Sequence, residues 1–296
     1  MTRRDRRTAA VVVSVLFLVA YVPRGFCQEA DDVAPAPAEE GSVCECTCAK
    51  LNTADAFPAA PGEFEVEFSY GFGRATRAWD SSWAGTGRGP TQEHAFGVGL
   101  TRGIAEDLDI SVSWGYADMY DRDDDALSGG GFTDLGVGAK WQFYHDEDLD
   151  LSLAYLPGVT IPIGRHGSAG HLGPSQDYWS FDQKVAMTKF WGRWTSNADL
   201  GYSLPFGEDT DGARGTLQAD AAVGYQVCSW LQPEVELNYA HDFVSGGADA
   251  DGLAVTAGLI MSLSDNWRLK MGVQQGVAGR NSDRGTAGIV ALSHCW

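Results

Sequence analysis

From Glu63 onward the chain alternates with a period of two. Phe64, Val66, Phe68, Tyr70 and Phe72 fall on one side, and Glu63, Glu65, Glu67, Ser69 and Gly71 on the other. Successive side chains of a strand point to opposite faces, so this pattern predicts a strand with one apolar, aromatic face and one polar or small face. The signature recurs at Phe96, Val98 and Leu100; at Leu108 through Tyr116; at Leu135 through Phe143; and at Leu149 through Tyr155. It returns at 181–187, where it is weakest, then at 198–204, 217–227, 235–239, 255–263, 267–273 and 290–296. The connections alternate in character. Long polar ones are predicted at 74–90, 118–130, 165–177, 207–214, 245–251 and 279–284, and tight ones at 105–107, 145–148, 192–193, 229–230 and 265–266. An even count of about twelve strands with short turns at one end and longer loops at the other predicts an all-β fold: an up-and-down antiparallel transmembrane β-barrel over 62–296. A soluble β-sandwich also alternates, but it hides its aromatics in a core, whereas here Trp, Tyr and Phe collect at strand ends, where a lipid girdle lies. The short turns are expected in the periplasm and the long loops outside the cell, with both termini periplasmic and the chain in the bacterial outer membrane.

The first 27 residues break the pattern. Arg3, Arg4, Arg6 and Arg7 precede an apolar run from Ala9 to Val22 that is too short to span a bilayer comfortably, and Gly25 and Cys27 suit a cleavage site before Gln28. This reads as a signal peptide over 1–27. Residues 28–61, rich in Ala, Pro, Glu and Asp and carrying Cys44, Cys46 and Cys48, show no repeating apolar face and read as a flexible periplasmic extension. Five arginines and one aspartate leave with the signal, so the mature chain carries −23 against −19 for the whole. Such an acidic balance excludes nucleic acid as a partner, because binding there needs clustered Lys and Arg. Beyond the signal, no run approaches the ~18 apolar residues of a membrane helix.

By strand parity the inward face carries Glu65, Glu67, Asp109, Asp134, Asp150, Asp199, Asp220 and Glu236, opposed by Lys140, Arg268 and Lys270. Two readings stand. Charges of both signs can pair across strands as a structural network, or they can line a polar conduit. A twelve-stranded wall leaves an interior roughly 10 to 14 Å across, and many inward glycines remove side-chain volume from it. Cys44, Cys46, Cys48, Cys228 and Cys295 are disulfide candidates in an oxidising compartment, with the N-terminal cysteines tethering the extension to Cys228 or Cys295 at the periplasmic mouth. Their alternate spacing lacks the gap of a zinc knuckle, so no metal or cofactor is expected. A lipid hydrolase would need an outward His and Ser. His94 faces outward but is flanked by Tyr70, Phe72, Trp114 and Tyr116, with no serine to activate, so the chain is not expected to be an enzyme.

Phe132-Thr133-Asp134-Leu135-Gly136-Val137-Gly138-Ala139-Lys140-Trp141, followed by Leu156-Pro157-Gly158-Val159-Thr160-Ile161-Pro162-Ile163-Gly164, resembles the strand motifs of outer-membrane proteins named for the MetA pathway of phenol degradation. Thr133, Trp141 and Ile163 depart from that pattern. The resemblance implies a transporter passing small molecules, aromatic or hydrophobic ones included, with Asp134 and Lys140 as wall residues and no catalytic set. Other expected partners are outer-membrane lipids and the barrel-assembly machinery, which would read the last strand ending on Trp296. The rival expectation is a closed structural barrel whose loops or N-terminal extension bind a partner.

Overall fold

The computed structural model describes residues 50–122, 128–167, 171–207, 210 and 212–296. The expected signal peptide and most of the extension lie outside these residues. Thirteen strand segments follow one another: β1 (Phe64–Trp79), β2 (Gly85–Ala105), β3 (Leu108–Asp121), β4 (Gly129–Phe132), β5 (Leu135–Asp146), β6 (Leu151–Ile161), β7 (Trp179–Trp191), β8 (Trp194–Phe206), β9 (Ala213–Tyr225), β10 (Leu231–Val244), β11 (Ala250–Ser262), β12 (Trp267–Arg280) and β13 (Ser282–Cys295). Neighbours pair antiparallel, and β1 pairs with both β2 and β13, so the sheet closes on itself. Closure leaves no sheet edge, which a membrane-spanning sheet requires. β4 and β5 together flank β3: Tyr116 to Met119 pair with β4, and Leu108 to Ser113 pair with β5. The two segments form one stave interrupted at Thr133 and Asp134, and the barrel has twelve staves.

Each of the twelve predicted strands is present, but several are longer than expected. β1 has 16 residues and β2 has 21, where a bilayer needs only ~9 to 11. Residues 245–249 form a loop between β10 and β11, whereas the stretches 74–90 and 279–284, expected as long loops, are largely strand ends joined by turns. Their polar residues mask the alternation, because a strand projecting past the lipid has water on both faces.

Burial runs opposite to that of a soluble domain. Phe68, Phe96, Val185, Trp191 and Leu200 are exposed, while Glu236, Asn197, Thr188, Thr256 and Ser152 are fully buried. Aromatic pairs mark the turn end of the outer surface, with Phe64 stacked on Trp296 at 5.7 Å and Trp194 against Tyr225 at 4.7 Å. Higher on the wall, Trp114 stacks on Phe132 at 4.6 Å. The β7–β8 turn is two residues long, and Gly192 supplies its left-handed φ of 60° between Trp191 and Trp194.

One domain expectation requires correction. The described part of the extension, residues 50–61, does not lie outside the barrel but runs within it, bonded to at least five staves. Its lack of periodicity is real, but the acceptors for its backbone come from the wall instead of water.

Candidate functional site

A segment without helix or strand must find partners for its backbone N–H groups, and here side chains of the wall supply most of them. Glu236 accepts from the amides of Leu51 at 3.0 Å, Asn52 at 3.0 Å and Thr53 at 3.3 Å. Glu234, the next inward position of β10, also accepts from Leu51 at 3.0 Å and pairs with Lys50 at 3.4 Å, both side chains fully buried. Asp199 of β8 takes the Ala54 amide at 2.7 Å while held by Lys184 at 3.0 Å. Thr188 of β7 accepts from Ala56 at 3.0 Å, and Asp109 of β3 from Ala59 at 3.0 Å. Lys140 of β5 donates to Asp55 and to the Phe57 carbonyl, each at 2.9 Å, and Gln142 donates to the Ala56 carbonyl at 3.0 Å. The segment therefore sweeps across the lumen from β10 to β3 before Gly62, at φ 85°, turns it into β1.

Packing reinforces the polar contacts. A Cβ added at Gly258 or Gly272 would meet Leu51 Cδ1 at 2.3 or 2.6 Å, and one at Gly103 would meet the Ala60 carbonyl at 1.8 Å. These inward glycines, expected to widen an aqueous space, instead admit the plug. Phe57 fills the opposite side against Phe190 at 5.8 Å and His145 at 6.1 Å.

The other wall candidates fall into three groups. Glu67 pairs with Lys270 at 2.5 Å and accepts from Ser293 at 2.9 Å, with Glu65 one inward position away and opposite Cys295. Asp220 accepts from Asn238 at 3.0 Å, and Arg268 is buried opposite Ser293 and Ser262. Asp134 lies in the break between β4 and β5, where it accepts from Gly164 N at 3.0 Å, Ser175 Oγ at 2.6 Å and Gln176 N at 2.9 Å, fastening the β6–β7 connection over the barrel. Asp150 is a correction: it sits exposed in the β5–β6 turn with φ 49°, a left-handed conformation Asp tolerates, and not on the wall. Cys295 is disulfide-bonded, and Cys44, Cys46 and Cys48 lie outside the described residues; Cys228 is buried after β9.

Toward the loop end, above the plug, is a cavity of about 600 Å³. Its lining sets small and apolar residues such as Gly73, Ala75 and Met119 beside charged ones, among them Glu93, Asp220 and Asp283. Its floor is a network of uncharged polar groups: Thr256 donates to Asn238 at 2.8 Å, Gln274 donates to Thr256 at 3.2 Å, and Asn52 of the plug donates to Thr256 at 3.1 Å. Arg88 bridges Asp121, at 2.8 Å, and Asp283 at the loop end of the barrel. The plug and this floor were missed by sequence reasoning. The available signal was an excess of inward carboxylates over inward cations, which leaves acceptors unused unless a donor-rich chain enters.

On the lipid side, His94 accepts or donates to the Tyr70 phenol at 2.9 Å and packs on Phe72 at 4.9 Å. A His–Ser hydrogen bond does occur, between His145 and Ser152 at 2.9 Å, but Ser152 is fully buried and the imidazole lies against Phe57. Among the described residues no group of three or more His, Cys, Asp or Glu side chains is arranged to hold a metal ion.

No curated protein matches the chain. Among solved structures, an outer membrane channel from Pseudomonas putida F1 is 14% identical, with a TM-score of 0.71 over 83% of this chain and 100% of that one. That similarity extends to the whole fold. The translocator domain of the autotransporter NalP from Neisseria meningitidis is 12% identical at a TM-score of 0.47, over 79% and 88% of the two chains. A mutant of the TodX monoaromatic hydrocarbon channel is 9% identical at 0.46, over 79% and 91%. Residues 116–291 match the family described as "Putative MetA-pathway of phenol degradation". That match spans more than half of the sequence and includes the motif strands around Asp134 and Lys140, so this twelve-stave outer-membrane barrel belongs to the phenol-degradation MetA-pathway family.

Proposed function

We propose that the chain is a passive outer-membrane uptake channel for small molecules, with the loop end facing the medium and both termini periplasmic. The observation that carries this reading is the cavity of about 600 Å³ toward the loop end of a lumen that the 50–61 segment crosses. Its volume falls within the ~300 to 1,000 Å³ of small-molecule sites. A lining of small residues interleaved with amides, hydroxyls and charged groups suits a compact solute with a polar end, such as a phenol, and the family's name agrees with that class. Passage then requires the plug to yield. Its hold on the wall consists mostly of hydrogen bonds to carboxylates, which can be exchanged singly for water.

The test is single-channel recording of the refolded mature protein in a planar bilayer, paired with Glu236→Ala. The wild type is expected to show small, discrete openings, and the variant openings several times larger. Equal, silent traces from two barrels shown to be folded by heat-modifiable gel mobility would overturn the channel. They would favour the second reading, a closed barrel whose loops or extension bind a partner, which the buried Lys50–Glu234 pair supports by making the plug costly to remove.

A further inference from the structure

Above its aromatic positions the lipid-facing surface carries a cluster of arginines. Outward positions of β1 run Phe68, Tyr70, Phe72 and then Arg74, and a bulge between Ala75 and Arg77 returns Arg77 to the same face. Arg77 stands directly opposite Arg284 of β13, and Arg74 opposite Thr286, the next outward position. Directly opposed side chains have Cβ atoms ~5 Å apart and diagonal ones ~7 to 8 Å, so the three guanidinium groups can converge on one ligand. Arg284 lies over the Trp79 ring, 4.7 Å from its centroid. On the β2 side, Arg77 and Trp79 face Gly87 and Gly85, and a Cβ at Gly87 would meet nothing within 4 Å. The result is a shallow recess floored by backbone and rimmed by arginine.

Like charges opposed across strands are destabilising, and this chain has 40 acidic residues against 21 basic ones with which to neutralise them. Yet Arg74 and Arg77 are exposed, and among the described residues neither forms an ion pair. Among the described residues, Asp283 turns inward to Arg88, and Asp251 holds Arg280 at 2.6 Å. Arg74 follows Phe72 by ~7 Å along the strand, the level at which an aromatic girdle gives way to headgroups. Guanidinium forks match phosphate oxygens in pairs, and stacking on Trp79 holds one fork ready.

We propose that Arg74, Arg77 and Arg284 form a binding site for the phosphate groups of an outer-leaflet glycolipid, whose acyl chains lie along Phe68, Tyr70 and Phe72. The assignment to the outer leaflet rests on the orientation proposed above. The experiment is native mass spectrometry of the mature protein refolded in detergent, with diphosphorylated lipid A, its dephosphorylated form, or inorganic phosphate added. One diphosphorylated lipid is expected to bind. Binding should fall about tenfold or more in the Arg74→Gln, Arg77→Gln double variant, with Arg77→Gln alone as the fallback if the double variant does not fold. Lys189→Gln, on the lipid side near the opposite rim, should leave binding unchanged. Undiminished binding in the arginine variants, equal binding of the dephosphorylated lipid, or displacement by millimolar inorganic phosphate would each overturn the proposal. Orientation is read separately from Ser82→Cys in the β1–β2 turn, which a membrane-impermeant maleimide should label on intact cells. Labelling only after permeabilisation would overturn the outer-leaflet assignment while leaving phosphate binding in detergent intact, so the two failures are distinct.

Discussion

Glu236 carries more of the plug than any neighbouring side chain, because three consecutive amides converge on one carboxylate. Glu236→Ala strips their acceptor, and leaving buried N–H groups unpaired costs ~1 to 3 kcal/mol each before relaxation. Amide exchange at Leu51, Asn52 and Thr53 is therefore expected to accelerate by at least about tenfold, while exchange in the β12 and β13 staves is unchanged. Equal acceleration across the staves would show that the residue supports the barrel and not the plug. At the loop end, Asp80 accepts from the Ser82 hydroxyl and from the amides of Ala84 and Ser82, and these bonds hold its carboxyl below the usual range. A lowered folded-state pKa means that the turn gains support where Asp80 is ionised and loses it as the pH falls through that lowered value. Carbon-13 titration should place the Asp80 midpoint below the ~3.9 of a free aspartate, and Ser82→Ala should move it up. Parity alone identified which face Glu236, Asp199 and Asp109 occupy, since period two fixes the face of every strand residue. It failed for Asp150, because no rule of alternation says where a strand stops and a turn begins, and it could not show that Asp134 interrupts a stave to fasten a loop.

The staves were legible because the lipid demands apolar residues at every second position, a constraint that operates along each strand independently of its neighbours. The plug was not, because its partners are non-local: Leu51 and Glu236 are 185 residues apart, and the segment carries no period of its own. What the sequence did contain was a pair of glycines, Gly258 and Gly272, directly opposite one another on β11 and β12. Together they form the socket for Leu51. Replacing either with alanine sets a Cβ closer than 3.0 Å to the Leu51 side chain, so the leucine must leave or the staves must part. Gly272→Ala, whose added Cβ meets Leu51 at 2.6 Å and no backbone atom closer than 3.2 Å, is expected to keep the barrel folded by heat-modifiable mobility and to make the bond after Lys50 more accessible to trypsin than in the wild type. A glycine whose only role was to bend the strand would leave cleavage unchanged. Gly215 tests a different element. With φ 139° and the Tyr202 hydroxyl 2.2 Å from any added Cβ, Gly215→Ala combines backbone strain with a clash at the start of β9. A loss of about 1 to 3 kcal/mol in urea unfolding is expected. Adding Tyr202→Phe should recover little of it, because the ring carbon at 2.5 Å and the Ser203 carbonyl at 2.8 Å remain in the way.

At the scale of the molecule, the same carboxylates serve two states. With the plug seated, Glu234, Glu236, Asp199 and Asp109 are satisfied by its amides and by Lys50, and they present no free negative field to a passing ion. With the plug withdrawn, these acids stand bare around the lumen, where a ring of carboxylates favours cations over anions. Selectivity should therefore depend on the plug and not only on the wall. Deleting residues 50–61 is expected to raise conductance several-fold and shift reversal potentials in a potassium chloride gradient toward potassium, more strongly at low salt, where screening lengths approach the lumen radius. Asp199→Asn and Glu236→Gln together, on the deleted background, should reduce that preference without reducing pore size. A plugless barrel that conducts widely but prefers chloride would show that Lys140, Lys184 and Lys270, released from Asp55, or still held by Asp199 and Glu67, dominate the open lumen. The carboxylates would then be anchors for the segment and nothing more.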